Sequence, residues 1–346
     1  MPEKLRVALI GAGGFGGYHL RTWKEVEDAR VVGVYDIARE AARKAAALHE
    51  LPKAYASLEA VLADAEVDAV DVCVPNRAHA QVAIAAMEAG KHCLCEKPLA
   101  AAPAEIERMI AARDAAGRIL MTAQHLRFEQ RSVAFKRIID AGRLGEIYYT
   151  RAFWLRRRML PVTPGFLSKE QSGGGPCIDI GVHVLDLAMH LMGFPRPVAV
   201  SAISVRRLAQ DAGRFNEWGP YDVEKMNVED FAAGFIRFDN GAALSLEVSW
   251  MLNMEQRESY GVHLFGSEGG GRWPDLTFSR EQDGLLIDEH ITNADEGHGH
   301  RNEMQAFVRA VHADGPSPVP AEQSLTVARI LEAMYRSAET GREVRL

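Results

Sequence analysis

The segment from Ser172 to Leu187, SGGGPCIDIGVHVLDL, combines residue types that could carry out acid–base chemistry. Three glycines and Pro176 interrupt regular structure, and an apolar helical pattern begins directly after them. Asp179, His183 and Asp186 follow at i, i+4 and i+7, so a helix would place them on one stripe. An imidazole can accept a proton near neutral pH, and a carboxylate one turn away can fix its orientation. The simpler interpretation is a capped core helix with incidental polar residues.

A glycine-rich turn near the N-terminus indicates a second chemical site. The sequence GAGGFG at residues 11–16 follows an apolar strand, Leu5–Ile10, and begins a helix whose N–H groups could bind a pyrophosphate. Asp36, at the tip of the second strand, lies 20 residues after Gly16, where a ribose 2′-hydroxyl needs an acceptor. This carboxylate would repel the 2′-phosphate of NADP, so NAD is the predicted cofactor, although Arg39 leaves NADP possible. The predicted contacts are Gly11, Gly13, Gly14, Phe15, Gly16 and Asp36.

Two further strand ends carry polar residues. Pro75-Asn76 closes one strand and Glu96-Lys97-Pro98 closes the next, and ligands bind at such carboxyl ends in open α/β sheets. We expect Asn76 near the nicotinamide and Lys97 in the active site, although a surface lysine is the usual alternative. His79 could be a cofactor contact, a cap or a packing residue. The predicted cofactor contacts here are Pro75, Asn76, His79, Glu96 and Lys97.

The elements that would position these residues fall into two groups. Between residues 5 and 123, strand-like and helical runs alternate, which is typical of the doubly wound parallel sheet called the Rossmann fold. Beyond residue 124, longer strand-like runs have short connections, and Asp239-Asn240-Gly241 is a hairpin signal that favours antiparallel pairing. We therefore predict an α/β protein with an NAD(P)-binding domain at residues 1–123 and a second domain at residues 124–346.

Composition narrows the class of protein. A formal net charge of −7 over 346 residues predicts no general affinity for nucleic acid or an anionic membrane. The sequence shows no spanning apolar run and no signal peptide, so a cytoplasmic location is expected. Cys93 and Cys95 are interpreted as core residues. His298 and His300 lack a third ligand at a recognisable spacing, so no metal site is predicted.

In their order along the chain, these motifs resemble the glucose-fructose oxidoreductase/inositol dehydrogenase (Gfo/Idh/MocA) family. The resemblance covers essentially the whole chain and is carried most specifically by E-K-P at residues 96–98 together with D-x-x-x-H at residues 179–183. It implies a Rossmann domain followed by an α/β domain with a large, open, mostly antiparallel sheet, commonly used for dimer or tetramer contacts. It also implies a catalytic group, which transfers here to Lys97, Asp179 and His183.

The resemblance implies an NAD(P)-dependent dehydrogenase acting on a secondary alcohol of a sugar, polyol or glycoside. The alternatives are a glycosidase of the same fold that retains NAD, and a non-catalytic NAD-binding sugar sensor. Asp186 is either a further substrate or supporting group or part of a surface salt bridge. Alternation along a strand means that only some residues between 151 and 169 face a pocket. The predicted substrate contacts are Lys97, Arg127, Trp154, Arg157, Asp179 and His183, with Arg156, Phe166 and Lys169 as further candidates.

Overall fold

Apolar runs near the N-terminus become parallel strands, and the longer runs that follow become a second, larger sheet. The computed structural model describes residues 3–346. It divides the chain into two compact units. The first contains the residues up to His125 together with His298–Leu325, and the second contains Leu126–Gly297 together with Thr326–Leu346. The predicted domain boundary after residue 123 lies close to His125, where the chain first passes from the first unit to the second. The return of residues 298–325 to the first unit is not part of that prediction.

The helices and strands within residues 3–346 have the following bounds. The strands are β1 Leu5–Ile10, β2 Ala29–Tyr35, β3 Ala69–Val72, β4 His92–Cys95, β5 Leu120–Thr122, β6 Ile147–Arg156, β7 Pro197–Val205, β8 Phe231–Phe238, β9 Ala243–Ser249, β10 Glu258–Gly266, β11 Gly270–Trp273, β12 Thr277–Gln282, β13 Leu285–His290 and β14 Val344–Arg345. The helices are α1 Gly14–Trp23, α2 Arg39–His49, α3 Leu58–Leu62, α4 His79–Glu88, α5 Pro103–Ala116, α6 Gln130–Asp140, α7 Pro164–Leu167, α8 Lys169–Ser172, α9 Val182–Leu191, α10 Gly299–His312 and α11 Ala321–Thr340.

The first unit is built on a parallel sheet with the strand order β2-β1-β3-β4-β5. Strands β1, β3, β4 and β5 are mostly apolar and almost fully buried, as expected for a sheet covered on both faces. Val72 pairs with Cys95 and Ile10 pairs with Val72, so the carboxyl ends of the central strands lie at one edge. That edge carries the glycine turn and both polar strand ends.

Helix α10 belongs to this first unit, although it follows β13 in the chain. Its residue His300 stacks on His125 with ring centroids 4.0 Å apart, and Tyr18 Oη lies 3.2 Å from His300 Nδ1. Beyond the helix, Ser324 Oγ lies 2.8 Å from the hydroxyl of the buried Thr122 on β5. The Rossmann unit is therefore completed by residues from late in the sequence.

The second unit is built on a sheet of nine described strands, in the order β13-β12-β11-β10-β6-β9-β8-β7-β14. Its strands pair antiparallel except for β6 and β9, which are parallel neighbours at the centre. The predicted hairpin at residues 239–241 connects β8 and β9, and Gly241 has the positive φ (+86°) that such a turn requires. One face of the sheet packs into the core with α9, whose apolar residues are buried. The predicted fold class is confirmed.

Within residues 3–346, we find no helix that is both long and apolar enough to cross a membrane.

Candidate active site

The glycine turn after β1 forms an open cradle at the start of α1. Gly11, with φ +104°, and Gly16 are both buried. A Cβ on Gly11 would lie 2.5 Å from Cys73 O, and a Cβ on Gly16 would lie 1.9 Å from Gly11 O. Gly13 and Gly14 are exposed, and among the described residues no atom lies within 4 Å of a Cβ built there. The buried glycines are thus required by close backbone packing, whereas the exposed pair keeps the helix start open to a phosphate. This cradle fits the pyrophosphate of a dinucleotide.

Asp36 is held at the carboxyl end of β2, beside this cradle. Its Oδ2 accepts a hydrogen bond from the backbone N–H of Ala12 at 2.7 Å, and its Oδ1 accepts one from Ala38 at 2.8 Å. These bonds fix the carboxylate in one orientation next to the glycine turn. Phe15, nearly half exposed, stacks on Tyr18 at the start of α1, with ring centroids 5.6 Å apart. The position of Asp36 suits a contact to a ribose hydroxyl.

Pro75, Asn76 and Lys97 follow the neighbouring strands β3 and β4. Pro75 is exposed, and Asn76 begins a short 3₁₀ helix, Asn76–Ala78, that leads into α4. Lys97 is partly buried immediately after β4. Because β3 and β4 are parallel and paired, both loops lie at the same edge of the sheet. The structure thus brings these three predicted residues to one end of the Rossmann unit.

His79 and Glu96 are buried beneath this edge. His79 Nδ1 lies 2.8 Å from Pro98 O and its Nε2 lies 2.9 Å from Val74 O, so the imidazole connects the ends of β3 and β4. Burial lowers the pKa of His79. Glu96 Oε2 accepts a hydrogen bond from the backbone N–H of Lys97 at 3.1 Å. Both side chains therefore support the loop that carries Lys97, and their predicted cofactor contacts remain predictions.

In the second unit, the triple-glycine segment packs against protein groups. Glu229 accepts hydrogen bonds from the N–H of Gly175 at 3.0 Å, the N–H of Cys177 at 3.1 Å and the hydroxyl of Tyr335 at 2.8 Å. A Cβ at Gly175 would lie 2.2 Å from Glu229 O, and one at Gly174 would lie 2.0 Å from Tyr335 Oη. Gly175 therefore leaves room for the backbone of Glu229, and Gly174 leaves room for the side chain of Tyr335. The Glu229 carboxylate also accepts hydrogen bonds from backbone N–H groups at the start of the following helix.

The helix predicted after Pro176 begins as a π-helical turn, Cys177–Gly181, and continues as α9. Asp179 lies in the π-helical turn and is partly buried, whereas His183 lies in the first turn of α9 and is buried. Single π turns in helices occur frequently at functional sites.

The carboxylate of Asp179 is oriented by two side chains from the sheet. Trp250, which follows β9, donates its indole N–H to Asp179 Oδ2 at 3.1 Å. Arg156 at the end of β6 places Nη1 3.9 Å from the same oxygen. A hydrogen-bond donor and a cation thus hold this carboxylate at a fixed position before His183.

Arg156 and Trp154 both donate hydrogen bonds to one carboxylate on the neighbouring strand. Glu258 Oε1 accepts a hydrogen bond from Trp154 Nε1 at 2.7 Å and another from Arg156 Nε at 2.9 Å. The Trp154 ring centroid lies 6.0 Å from that of His183. The Arg156 guanidinium carbon lies 5.2 Å from the ring centroid of Trp218, which is 44% exposed. A paired arginine and two indole rings therefore surround the Asp179–His183 segment.

Arg127 and Asp186 form a buried ion pair. Arg127 donates from Nε to Oδ2 and from Nη2 to Oδ1, both at 2.6 Å, and both side chains are at most 3% exposed. The interpretation of Asp186 as part of a surface salt bridge is therefore wrong, because the pair is enclosed. Removing one partner of such a pair costs about 3–5 kcal/mol because it leaves an uncompensated charge.

Arg157, Phe166 and Lys169 lie in different surroundings. Arg157 follows the end of β6, is exposed, and donates to the carbonyl of Glu255 at 3.3 Å, whereas the neighbouring Arg156 is the residue beside Asp179. Successive side chains of an extended chain point to opposite faces, which separates Arg157 from Arg156. Phe166 is 39% exposed, and Lys169 Nζ lies 5.5 Å from the ring centroid of Tyr335. Their predicted or candidate roles as substrate contacts remain predictions.

Several residues of this region were not identified from the sequence. Trp250, Glu258, Glu229 and Tyr335 all contact the Asp179 segment or Arg156, but none belongs to a recognisable motif. The register of β10 against β6, which pairs Glu258 with Arg156, is the feature that brings an acid to this arginine. A cross-strand pair of opposite charge could be predicted only after that register was known.

Comparison with known proteins agrees with the motifs. The family described as "Oxidoreductase family, NAD-binding Rossmann fold" (Gfo/Idh/MocA) matches residues 5–124, and its C-terminal alpha/beta domain matches residues 136–346. The D-glucoside 3-dehydrogenase of Escherichia coli (strain K12) is 34% identical over 345 residues, covering 99% of this chain and 97% of its own. The myo-inositol 2-dehydrogenase of Thermotoga maritima is 26% identical, covering 99% of this chain and 98% of its own.

Solved structures resemble the whole chain as well. Levoglucosan dehydrogenase in complex with NADH and levoglucosan matches with a TM-score of 0.85 and 26% identity, covering 99% of both chains. The predicted family is therefore confirmed. With both domains matched along nearly its whole length, the chain belongs to the Gfo/Idh/MocA oxidoreductase family and is a dehydrogenase that has an NAD-binding Rossmann domain.

Proposed function

We propose that this dehydrogenase uses NAD to oxidise a secondary hydroxyl group of an uncharged sugar or glycoside, with Lys97, Asp179 and His183 as its catalytic residues. The observation that carries the proposal is the Asp179 carboxylate, held by the Trp250 N–H and faced by Arg156, in the helical segment that also carries His183. The relatives act on related compounds, as their names state: a D-glucoside, myo-inositol and levoglucosan.

The residues of the Rossmann unit support the choice of NAD. The exposed Gly13 and Gly14 would leave the N-terminus of α1 open to the pyrophosphate. Asp36 would accept the ribose 2′-hydroxyl and repel a 2′-phosphate. When bound, NAD supplies the acceptor for the hydride that leaves the carbinol carbon.

The side chains supply the proton chemistry. Oxidation of a secondary alcohol releases the hydroxyl proton, and His183 is the proposed base that accepts it at a ring nitrogen. Asp179, on the preceding turn, would stabilise the imidazolium that forms. The Lys97 ammonium would favour the alkoxide character of the hydroxyl oxygen as the proton leaves.

The pairing of the cations supports an uncharged substrate. Arg127 is neutralised by the buried Asp186, and Arg156 is neutralised by Glu258. An anionic sugar would have to compete with these intramolecular carboxylates for the same guanidinium groups. The indole rings of Trp154 and Trp218 offer apolar faces of the kind on which a pyranose ring packs.

The outer face of the large sheet supports a proposed homodimer or homotetramer. Phe265, Phe235 and Ile203 are each more than one third exposed on strands of this sheet, and Phe265 stacks on Tyr149 with ring centroids 5.7 Å apart. Exposed apolar side chains on a broad sheet are typical of an interaction surface. Light scattering of the purified protein and a Phe265→Asp variant tests this, and a monomeric wild-type protein would contradict it.

The function is tested by NADH formation with a panel of glucosides, cyclitols and anhydro sugars, followed by substitution of His183. We expect His183→Ala to lower kcat by about two to three orders of magnitude, because the base is lost. His190→Ala is the matched control, since it removes an imidazole from the same helix. Wild-type turnover in His183→Ala would contradict the proposal. Release of nitrophenol from a chromogenic glycoside without net NADH would instead indicate an NAD-retaining glycosidase.

A further inference from the structure

Three ionisable side chains form a buried row in the Rossmann unit, below the glycine turn. His19, in the middle of α1, is completely buried. Its Nδ1 lies 2.8 Å from Asp71 Oδ2 on β3, and its Nε2 forms an ion pair with Glu96 Oε1 at 3.1 Å. The imidazole thus lies between two carboxylates that come from adjacent strands.

The surroundings of His19 favour its cationic form. Burial alone would lower the pKa of the imidazole, but the charges of Asp71 and Cys73, followed by the hydrogen bonds to these two side chains, hold that pKa well above its usual range. Burial likewise opposes ionisation of Glu96, yet the hydrogen bond and charge of His19 lower the pKa of Glu96 below its usual value. Asp71 also accepts the indole N–H of Trp23 at 2.7 Å.

Other titratable groups face this row from the elements packed around it. Cys73 Sγ lies 3.3 Å from His19 Nδ1, and the His300 ring centroid on α10 lies 6.3 Å from that of His19. Burial lowers the pKa of His300 to about 4, so it adds no cation near neutral pH. Glu303 on α10 is fully buried, and burial raises its pKa well above the usual range. His19 is therefore a cation placed directly between Asp71 and Glu96.

The row ends at the loop that carries Lys97. The second oxygen of Glu96 accepts the backbone N–H of Lys97 at 3.1 Å, so Glu96 connects the imidazolium to the main chain of the lysine. His19, the central member of the row, is part of α1, whose first turn forms the cradle for the pyrophosphate. One side chain therefore links the cofactor cradle to the lysine loop.

We propose that His19 is a positioning residue for the dehydrogenase reaction: through Glu96, it fixes the Lys97 main chain relative to the helix that would hold the cofactor. This inference rests on the proposed function, because it requires Lys97 to act in the reaction. A displacement of the lysine by about 1 Å is enough to cost a large part of the rate.

The same side chains could be interpreted as a metal site, since one donor atom each from His19, Asp71 and Cys73 lies within 4.8 Å of the others. Hydrogen bonds account for these short distances. Cys73 Sγ lies 3.6 Å from Asp71 Oδ1, and Nε2 of His19 faces a fourth group, Glu96. We therefore assign the cluster to positioning, and metal content becomes an outcome of the test.

The test is a double-mutant cycle between His19→Gln and Lys97→Met, with kcat and the dissociation constant of NADH measured for each variant. We expect His19→Gln to lower kcat about tenfold while NADH affinity changes less than about threefold. In the Lys97→Met background, the same change should lower kcat less than about twofold, because no lysine remains to be positioned. Tyr55→Phe is the control, since it removes the hydrogen bond from the Tyr55 hydroxyl to Asp64, which belongs to the same unit but not to this row.

Each of the following outcomes would overturn the positioning role proposed for His19. An equal loss from His19→Gln in both backgrounds would overturn the positioning role and leave the proposed function intact. Unchanged turnover in Lys97→Met would overturn both. One equivalent of zinc per chain that disappears in His19→Gln would replace positioning with a metal site. If His19→Gln does not fold, Glu96→Gln takes its place, because it keeps an acceptor for the Lys97 N–H but removes the anion facing His19.

Discussion

Trp250 Nε1 donates a hydrogen bond to Asp179 Oδ2 over 3.1 Å, joining the end of β9 to the π-helical turn. Trp250 is fully buried, so its indole ring is fixed by packing. The bond therefore fixes the direction of the Asp179 carboxylate.

Removal of this donor should affect catalysis more than binding. We expect Trp250→Phe to lower kcat about tenfold or more with little change in KM, because one hydrogen bond to a charged group contributes about 1.5–3 kcal/mol. Trp273→Phe is the matched control: Trp273 is also fully buried in the sheet, and its indole nitrogen has no hydrogen-bond partner among the described residues. Steady-state kinetics on both variants checks this, and equal losses would show a general packing effect.

Glu258 should control the charge that the substrate can carry. In Glu258→Gln, the Arg156 guanidinium loses its carboxylate partner, so we expect kcat/KM for a glucuronide relative to the glucoside to rise about tenfold. Glu247→Gln provides the comparison, since Glu247 pairs with Arg151 at 3.0 Å elsewhere in the same sheet. No change in the ratio for Glu258→Gln would mean that Arg156 does not contact the substrate.

Asp36 should set the preference between the two nicotinamide cofactors. In Asp36→Ser, the carboxylate that would repel a 2′-phosphate is lost, and Arg39 begins the helix that follows. We expect the ratio of kcat/KM for NADP to that for NAD to rise by about tenfold or more. Initial rates with each cofactor at a saturating sugar concentration measure this ratio, and an unchanged value would place the ribose elsewhere.

His190 should contribute to loss of stability in acid. Burial, together with the charges of Arg127 and Lys136, lowers the pKa of His190 to about 3, well below the value near 6.5 of an unfolded histidine. Because the unfolded chain binds the proton more readily, the stabilisation is present above about pH 6.5 and decreases as the pH falls toward 3. We therefore expect the Tm of His190→Gln to decrease less steeply than that of the wild type between pH 6.5 and 4. Parallel curves from calorimetry would contradict this.

The sequence was sufficient for the Rossmann unit because each part has a local signature. Strand β1, the glycine turn and α1 follow one another without interruption, and the alternating runs predicted between residues 5 and 123 include β4 and α5. In the second unit, the short strands β11, β12 and β13 were missed. Strand β11 begins with two glycines, and charged residues interrupt β12 and β13, so none of the three has a long apolar run of the kind that marks a strand.

The side chains that surround the predicted catalytic residues were harder to predict from the sequence. Asp179 and His183 could be recognised by their spacing, but Trp250, Glu229 and Glu258 reach them through the register of strands far apart in sequence. The choice between Arg156 and Arg157 likewise depended on which face of the chain turns inward. Such information lies in long-range pairing, which a single sequence expresses only weakly.

The return of residues 298–325 to the first unit also affects how the polypeptide can mature on the ribosome. A nascent chain that has emerged only as far as His125 lacks α10, the ring that stacks on His125 and the hydroxyl that bonds to Thr122. The nucleotide-binding unit therefore stays incompletely packed until residues 298–325 have been translated. The second unit likewise needs residues 326–346, which are translated after the last segment of the first unit.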